Sequence, residues 1–235
     1  MFTAPLAFAA DDPSASAPHR MRVHLAGESV DLCADRAVYW PGQATLFIAD
    51  LHLGKAASFR AAGVPLPRGS TDADLARLTQ LLEATAARRL VVLGDFLHAA
   101  SARVPALDRA FAQWRSMHPA LSILLVRGNH DAQAGDPPPD WNIDSVAEPH
   151  ALPPFLACHR PHSPPSGFAL CGHVHPGVVL GGRARESVRL PCFLIGRRAM
   201  LLPAFGGLTG LAIVNPAADE TVVVIAGSRL FRLAA

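Results

Sequence analysis

The sequence has few cysteines, a single lysine and no long apolar run. Its four cysteines form no C-x-x-C pair and show none of the usual zinc spacings, so neither a disulfide framework nor a zinc knuckle is expected. We therefore expect a reducing, cytoplasmic compartment. No apolar run approaches the roughly 20 residues that a membrane span requires, so no membrane contact is expected.

The sequence motifs of two large enzyme classes are also missing. The chain has neither G-x-S-x-G nor G-x-x-x-x-G-K-[ST], which disfavours serine hydrolysis and nucleotide-driven work. Its net charge of +2 is too small to predict a nucleic-acid partner from the overall electrostatic field. Any contact with a polyanion must therefore be local.

Arginine carries almost all of the positive charge, since Lys55 is the only lysine. The arginines that gather late in the chain are Arg183, Arg185, Arg189, Arg197 and Arg198. Arginine is well suited to phosphate. A solvated basic loop or an arginine-rich genomic composition explains the group equally well.

The N-terminal segment has the composition of a tail. MFTAPLAFAA ends in small residues but lacks the basic region that begins a signal peptide, and DDPSASAP is rich in proline, serine and alanine. We expect residues 1–20 to form a disordered tail and residues 21–235 to form a single domain with a substantial core.

The first half of the domain alternates apolar segments with helical patterns. The apolar segments ATLFIAD, LVVLGD and LSILLVRG are typical of buried strands. Helical spacing occurs in GKAASFRAAG, STDADLARLTQLLEATAARR and PALDRAFAQWRSMH, and Thr71 and Asp74 form a capping-box pattern in the second of these. This β-α-β-α-β order predicts a largely parallel sheet.

The second half has a different pattern. After the proline-rich loop GDPPPDWN, short strand-like segments follow one another without a good helix between them. The predicted fold class is therefore α/β, with two packed mixed β-sheets flanked by helices and a second sheet built mostly from the C-terminal strands.

Polar side chains that can bind metal follow several of the predicted strands. They are Asp50, His52, Asp95, Asn129, His130 and Asp131 in the first half, and His159, His173 and His175 in the second. Open α/β sheets bind ligands beyond the carboxyl ends of their strands, so we expect these side chains to converge.

The spacing of these residues supports a metal site. In an extended chain, residues i and i+2 point to one side, so each D-x-H or H-x-H pair would face one metal region. Gly94, Gly128 and Gly172 precede candidate ligands, at positions where a Cβ would crowd the turn. The carboxylate of Asp95 has two oxygens and can bridge two cations. Mixed carboxylate, amide and imidazole ligands suit Mn²⁺, Fe or Zn²⁺, and we expect two divalent ions, with Mn²⁺ preferred.

The ordered motifs resemble those of a known superfamily. Asp50-x-His52, Gly94-Asp95, Gly128-Asn129-His130-Asp131, His159 and Gly172-His173-x-His175 resemble, as a set, the motifs of the calcineurin-like metallophosphoesterases. The segments DLHLGK, GDFLH, GHVHP, RLPCF and LPAFGGLTG are similar to one bacterial branch, the ligase-associated DNA damage response endonuclease family called PdeM.

The resemblance implies a role for each motif residue. One metal would be held by Asp50, His52, Asp95 and His175, and the other by Asp95, Asn129, His159 and His173. His130 would stand beside the scissile phosphate without binding metal, and Asp131 would orient it. Cys158 departs from the pattern, since many superfamily members have glycine near the following histidine.

Two further residues have open roles. His98 either contacts phosphate or a metal ligand, or simply begins a loop. Arg127 either contacts phosphate or lies in a solvated basic segment.

The resulting hypothesis is in-line hydrolysis of a phosphodiester with two metal ions. DNA is the substrate that the resemblance implies, in repair together with a DNA ligase, an exonuclease and a helicase. The near-neutral charge favours a small-molecule phosphodiesterase or nucleotide pyrophosphohydrolase as the alternative. A non-catalytic scaffold is the third reading, although such a protein would be expected to have lost ligands.

Overall fold

The computed structural model describes residues 19–66, 69–102, 104–181 and 186–233. The expected tail, residues 1–20, lies outside these ranges except for His19 and Arg20, and Arg20 already begins the first strand. The expectation that residues 21–235 form one domain stays a prediction. No helix in the described part is long and apolar enough to cross a membrane.

The described residues form strands β1–β16 and helices α1–α4. Strands β1–β7 span Arg20–Leu25, Glu28–Cys33, Ala37–Trp40, Thr45–Ile48, Arg89–Leu93, Ser122–Val126 and Asp144–Val146. Strands β8–β16 span His150–Leu152, Phe155–Cys158, Phe168–Cys171, Pro176–Gly181, Ser187–Ile195, Ala199–Leu201, Ala212–Ile213, Thr221–Ala226 and Arg229–Arg232. Helices α1–α4 span Lys55–Ala61, Ser70–Thr85, Pro105–Met117 and Asn129–Ala134, and short 3-10 helices span Pro41–Gln43, Ala100–Ala102 and Pro139–Trp141.

The first sheet has the order β1-β2-β3-β4-β5-β6-β7. Strands β1 to β4 are antiparallel, and β4 to β7 are parallel, with Phe47 opposite Val91 and Val91 opposite Leu124. The predicted β-α-β-α-β unit is therefore confirmed by β4, β5, β6 and the helices between them. Because these strands are parallel, their carboxyl ends meet at one edge.

The second sheet is built from the strand-rich half of the chain. Its order is β14-β11-β12-β13-β10-β9-β8, with β15 paired to β12 and β16 paired to β15. Strands β9, β10 and β13 run parallel, whereas β11, β12 and β15 are antiparallel neighbours. The predicted mixed second sheet is confirmed.

Two apolar layers hold the fold together. Leu78 of α2 and Phe111 of α3 are buried against Val92 on one face of the first sheet. On its other face, Phe47 meets the second sheet, and its ring centroid lies 6.4 Å from that of Phe155. Burying such side chains is worth roughly 1.5–3 kcal/mol each. The layers confirm the predicted fold class of two packed mixed sheets with helices.

The start of α2 differs from the prediction. The helix is capped by Gly69, without a side-chain hydrogen bond, so the predicted capping box of Thr71 and Asp74 is wrong. The carboxylate of Asp74 instead accepts the backbone N–H of Gly207 at 3.0 Å and pairs with Arg77 at 3.0 Å. The carboxylate of Asp74, which the local pattern assigned to the cap, therefore makes a tertiary contact instead.

Candidate metal centre

The candidate ligands converge at the carboxyl edge of both sheets. Loops continue the strand pairing there through backbone hydrogen bonds. The N–H of His52 donates to the backbone carbonyl oxygen of Asp95 at 2.8 Å, and the N–H of Gly172 donates to that of His159 at 2.9 Å. The convergence expected from the strand ends is therefore observed. The ligand roles themselves remain proposals.

Five candidate ligands have a left-handed backbone. They are Asp50 (φ 53°), His52 (φ 49°), Asp95 (φ 49°), His173 (φ 69°) and His175 (φ 54°). The predicted extended geometry of D-x-H and H-x-H is therefore wrong, although each pair does reach the centre. Residues other than glycine are strained in this region and persist there only where the surroundings fix them, which is typical of functional sites.

Asp50, His52 and His175 form the first group of donors. Their ligand atoms lie within 4.8 Å of one another, and Nε2 of His175 is 3.6 Å from Oδ1 of Asp50. In the described part, Oδ1 of Asp50, Nε2 of His175 and both ring nitrogens of His52 are buried without a hydrogen-bond partner. Buried polar atoms left in this way are costly unless a cation binds them.

Asp95, His159 and His173 form the second group. Nε2 of His159 lies 3.5 Å from Oδ1 of Asp95 and 2.9 Å from Nδ1 of His173. Nδ1 of His159 lies 3.1 Å from the carbonyl oxygen of Leu93 and donates its hydrogen to it, which leaves a lone pair on Nε2. That lone pair faces Oδ1 of Asn129 at 2.9 Å. A cation held between the two atoms would satisfy both, as would a proton on Nε2 or the opposite orientation of the Asn129 amide.

The side chain of Asp95 lies between the two groups. Its Oδ2 is 3.8 Å from Nε2 of His52, whereas its Oδ1 is 3.5 Å from Nε2 of His159. The carboxylate is also fixed in orientation, because Oδ1 accepts the backbone N–H of His130 at 2.9 Å. One carboxylate thus presents an oxygen to each group.

The donor spacing fits divalent cations. Ligand atoms about 2.1 Å from one cation lie about 3 to 3.4 Å apart in octahedral or tetrahedral geometry. The distances between donor atoms given above run from 2.9 to 3.8 Å and so include that range. The donors are carboxylate, amide oxygen and imidazole, which suit first-row divalent ions.

Desolvation favours the neutral form of three imidazoles of the centre: His52, which is buried, His98, which is half-buried, and His173, which is exposed. Burial first, and then the charges of Lys55 and nearby histidines, lowers the pKa of His52 to about 2. Burial also lowers the pKa of His98 and of His173 below the ordinary value. Neutral imidazole is the form that binds metal.

Glycines leave room for the ligands, as predicted. A Cβ on Gly94 would overlap the ring of His159, and a Cβ on Gly128 would overlap the carboxylate of Asp95. A Cβ on Gly172 would lie 2.7 Å from the carbonyl oxygen of Leu93. The crowding comes from the candidate ligands themselves as well as from the turns.

His130 and His98 form a stacked pair beside the first group. Their ring centroids are 5.1 Å apart with planes at 21°, and Nδ1 of His130 lies 2.7 Å from the carbonyl oxygen of His98. Nε2 of His130 lies 3.9 Å from Oδ2 of Asp95, and the side chain is one-third exposed. His98 thus belongs to the centre and is not merely the start of a loop.

Asp131 has different contacts from those that the resemblance implies. Its buried carboxylate accepts the backbone N–H groups of Phe96, Leu97 and Gly128 at 2.9 to 3.0 Å, and His130 bonds to the carbonyl of His98 instead. Burial raises the pKa of Asp131, and the three N–H donors oppose that shift. The Asp131 carboxylate is thus bonded to the loop that leads to His98, and its role toward His130 stays a prediction.

The arginines contribute little to the described centre. Arg127 makes a bidentate ion pair with Asp136 at 2.6 and 2.8 Å. Arg197 pairs with Asp219, and Arg198 donates to the carbonyl oxygens of Pro164 and Pro165. Arg183 and Arg185 lie outside the described residues.

Lys55 and Phe59 of α1 lie beside the centre without having been predicted there as site residues. Lys55 follows the turn from His52, whose carbonyl accepts its backbone N–H at 3.1 Å, and the ring of Phe59 stacks on that of His98. The only available signal was the position of the sole lysine three residues after the histidine of D-x-H. Nothing local indicates that Phe59 is near the centre, because the contact with His98 joins separate loops.

A two-sheet fold with this centre at its edge is that of a metal-dependent phosphoesterase. The family model for calcineurin-like phosphoesterases matches residues 44–182, which include all the candidate ligands. The chain belongs to that family.

The chain is also similar to solved structures. The nuclease MPE of Pseudomonas putida is 42% identical, with a TM-score of 0.80, and the match covers 91% of this chain and 100% of that chain. YfcE, a phosphoesterase from E. coli, is 16% identical with a TM-score of 0.36, covering 78% of this chain and 88% of that one. No curated protein sequence matches the chain.

Proposed function

We propose that this protein is a two-metal phosphodiesterase that cleaves DNA. Asp50, His52, Asp95 and His175 hold one divalent ion, and Asp95, Asn129, His159 and His173 hold the other. The observation that carries this proposal is the position of the Asp95 carboxylate, with Oδ2 toward His52 and Oδ1 toward His159. Mn²⁺ is the preferred ion because the donors mix oxygen and nitrogen; Fe and Zn²⁺ are the alternatives.

The bound ions supply a water nucleophile near neutral pH and neutralise charge on the phosphate oxygens. Side chains of the protein donate the proton and position the groups. When protonated, His130 keeps its Nδ1–H on the carbonyl of His98 and presents Nε2–H to the leaving oxygen. Asp131 holds the loop of His98 in place, and the stacked ring of His98 limits the motion of His130.

DNA is the proposed substrate because the relative that is 42% identical is described as a nuclease. A small phosphodiester is the competing substrate, favoured by the net charge of +2. Initial rates with Mn²⁺ on single-stranded DNA, an aryl phosphodiester and an aryl phosphomonoester separate the two. We expect DNA cleavage and diester turnover to exceed monoester turnover. Diester turnover without DNA cleavage would assign the small substrate.

Replacing Asp95 by alanine tests the shared carboxylate. We expect the variant to lose both bound Mn²⁺ and hydrolysis of every substrate, because each ion loses a ligand. Metal content by elemental analysis and initial rates are measured together. Asp140→Ala, at an exposed aspartate, is the control and should match the wild type. Full Mn²⁺ content with full activity in Asp95→Ala would refute the two-metal arrangement.

We further propose that the activity serves DNA repair with a DNA ligase, an exonuclease and a helicase, on the basis of the motifs shared with the PdeM family. Sensitivity of a deletion strain to DNA-damaging agents, and its rescue by wild type but not by Asp95→Ala, tests that role.

A further inference from the structure

Phe59 has an unusual position for an aromatic side chain. It is 37% exposed and is the one exposed phenylalanine, tyrosine or tryptophan among the described residues. Its ring lies 6.0 Å from that of His98 with the planes at 24°, and His98 in turn stacks on His130. Three rings therefore form a column that leads from the metal centre to the surface, and its outer end is open.

The exposed part of the Phe59 ring is available for contact with a ligand. Phe59 keeps 37% of its surface exposed, whereas aromatic rings are normally among the more buried residues. A flat aromatic partner would bury the open face by stacking, as unpaired bases do on the aromatic side chains of single-strand-binding proteins.

Lys55 precedes Phe59 by one helical turn, so the two side chains lie on the same face of α1. The lysine side chain is half-buried, and its ammonium has no hydrogen bond or ion pair within the described part of the chain. The backbone N–H of Lys55 donates to the carbonyl oxygen of His52 at 3.1 Å, which places the start of α1 beside the first donor group. Burial lowers the pKa of Lys55, whereas the charges of Asp95 and Asp50 raise it. An unpaired cation there is suited to a phosphate.

Helix α1 is held firmly against the loops of the centre. At its N-cap, Gly54 lies so close to Ala102 that an added Cβ would be 2.6 Å from the Cβ of that residue. The hydroxyls of Ser58 and Ser101 are 3.2 Å apart. Contacts of this kind fix the distance between Phe59 and the reacting phosphate, which a recognition surface requires.

We propose that α1 forms a nucleotide-binding face of the metal centre, on which Phe59 stacks an unpaired nucleobase and Lys55 binds the adjoining phosphate. This inference rests on the proposed cleavage of DNA and specifies single strands, because a paired base cannot leave its stack to cover the ring. It also explains how a chain of low net charge selects a nucleic acid, since contact is confined to one helix face.

The test compares Mn²⁺-loaded variants on two oligodeoxynucleotides of equal length, one intact and one with abasic sites around the cleaved bond. For Phe59→Ala we expect KM on the intact strand to rise about tenfold with kcat changed less than twofold, since one stack is worth roughly 5- to 150-fold in affinity. On the abasic strand the same variant should show a much smaller rise in KM, because no base is there to stack. Phe59→Trp should restore the intact-strand KM.

Lys55→Met should raise KM on both strands alike and lower the slope of log KM against log salt by about one, as expected for one lost phosphate contact. Lys55→Arg should recover most of the wild-type KM and most of the wild-type salt slope. Met117→Ala removes an apolar side chain that is 60% exposed on α3 and serves as the control, with no expected change.

A binding assay tests this inference independently of DNA cleavage. An oligonucleotide that carries 2-aminopurine should lose fluorescence when mixed with Mn²⁺-loaded wild type or Phe59→Trp, and keep it with Phe59→Ala. If wild type cleaves no DNA, the proposed substrate fails, and Phe59-dependent quenching still decides the inference. Quenching that does not depend on Phe59, an unchanged ratio of intact to abasic KM in Phe59→Ala, or loss of Mn²⁺ from that variant would each overturn it.

Discussion

Gly94 is a single residue whose missing side chain makes the second donor group possible. Its φ of +77° favours glycine, and a Cβ there would overlap the ring of His159, which has no exposed surface. His159 has no alternative space, because its Nδ1 is bound to the carbonyl of Leu93. A methyl group at position 94 therefore displaces a proposed metal ligand.

We expect Gly94→Ala to lose Mn²⁺ affinity and activity by roughly 100-fold, the upper range for residues that position ligands. Isothermal titration with Mn²⁺ and initial rates measure the two effects. Gly210→Ala is the matched control, since a Cβ there meets nothing within 4 Å. Normal Mn²⁺ affinity in Gly94→Ala would show that His159 is not a ligand.

At the residue scale, the sequence predicts which residues form the site better than it predicts their backbone conformation. The positions of Asp50, Asp95 and His159 after apolar runs were enough to predict that they converge. Their left-handed backbones could not be predicted, because D-x-H is also compatible with an extended strand. The contacts of Asp131 could not be predicted either, because its partners Phe96 and Leu97 lie 35 and 34 residues away along the chain.

At the element scale, Arg115 anchors the end of α3. Its guanidinium is buried and donates to the carbonyl oxygens of Trp141 at 3.1 Å, Leu121 at 3.0 Å and His118. These carbonyls lie before β6 and in the 3-10 helix that follows α4, away from the carboxyl edge. The arginine thus joins three separate segments without touching the metal centre.

We expect Arg115→Leu to lower the free energy of unfolding by about 2–4 kcal/mol, because three buried acceptors lose a charged donor. Denaturant unfolding measures the change, and kcat of the folded protein should stay within twofold. Arg109→Leu alters an exposed arginine of the same helix and should have little effect. A stability loss no larger than that of Arg109→Leu would contradict the anchoring role.

Elements with a strong periodic pattern were predictable, and short ones were not. Helices α2 and α3 are long enough for the apolar period to appear, as Leu75, Leu78 and Leu82 illustrate. Helix α4 has six residues, fewer than two turns, so no period distinguishes it from a loop. The failed capping box at Asp74 shows that a contact made by the folded chain, here with Gly207, can override a local signal.

At the scale of the whole molecule, histidines of lowered pKa couple stability to pH, chiefly His52, which is buried. The pKa of His52, His98 and His173 is lowered by burial, that of His52 to about 2. Below about pH 6.5 the unfolded chain takes up protons that the folded chain does not. The stability that these neutral imidazoles contribute is therefore present above about pH 6.5 and is lost as pH falls toward their folded pKa values.

We expect the Tm of chelator-treated protein to fall between about pH 7 and pH 5, and less steeply in His52→Asn, which lacks one such group. Calorimetry at fixed ionic strength measures the slopes. His24→Asn replaces an exposed histidine and should keep the wild-type slope. Identical slopes for His52→Asn and wild type would show that His52 is protonated alike in both states.

The five candidate ligands with a left-handed backbone also limit how heat-resistant this protein can become. A non-glycine residue in that conformation costs roughly 1–2 kcal/mol, so together they oppose folding by an amount comparable to the net stability of a typical domain, about 5–15 kcal/mol. Glycine at Asp50 or His175 would relieve part of that cost and remove a proposed metal donor. Selection for thermal tolerance and selection for turnover therefore act against each other at the same five positions.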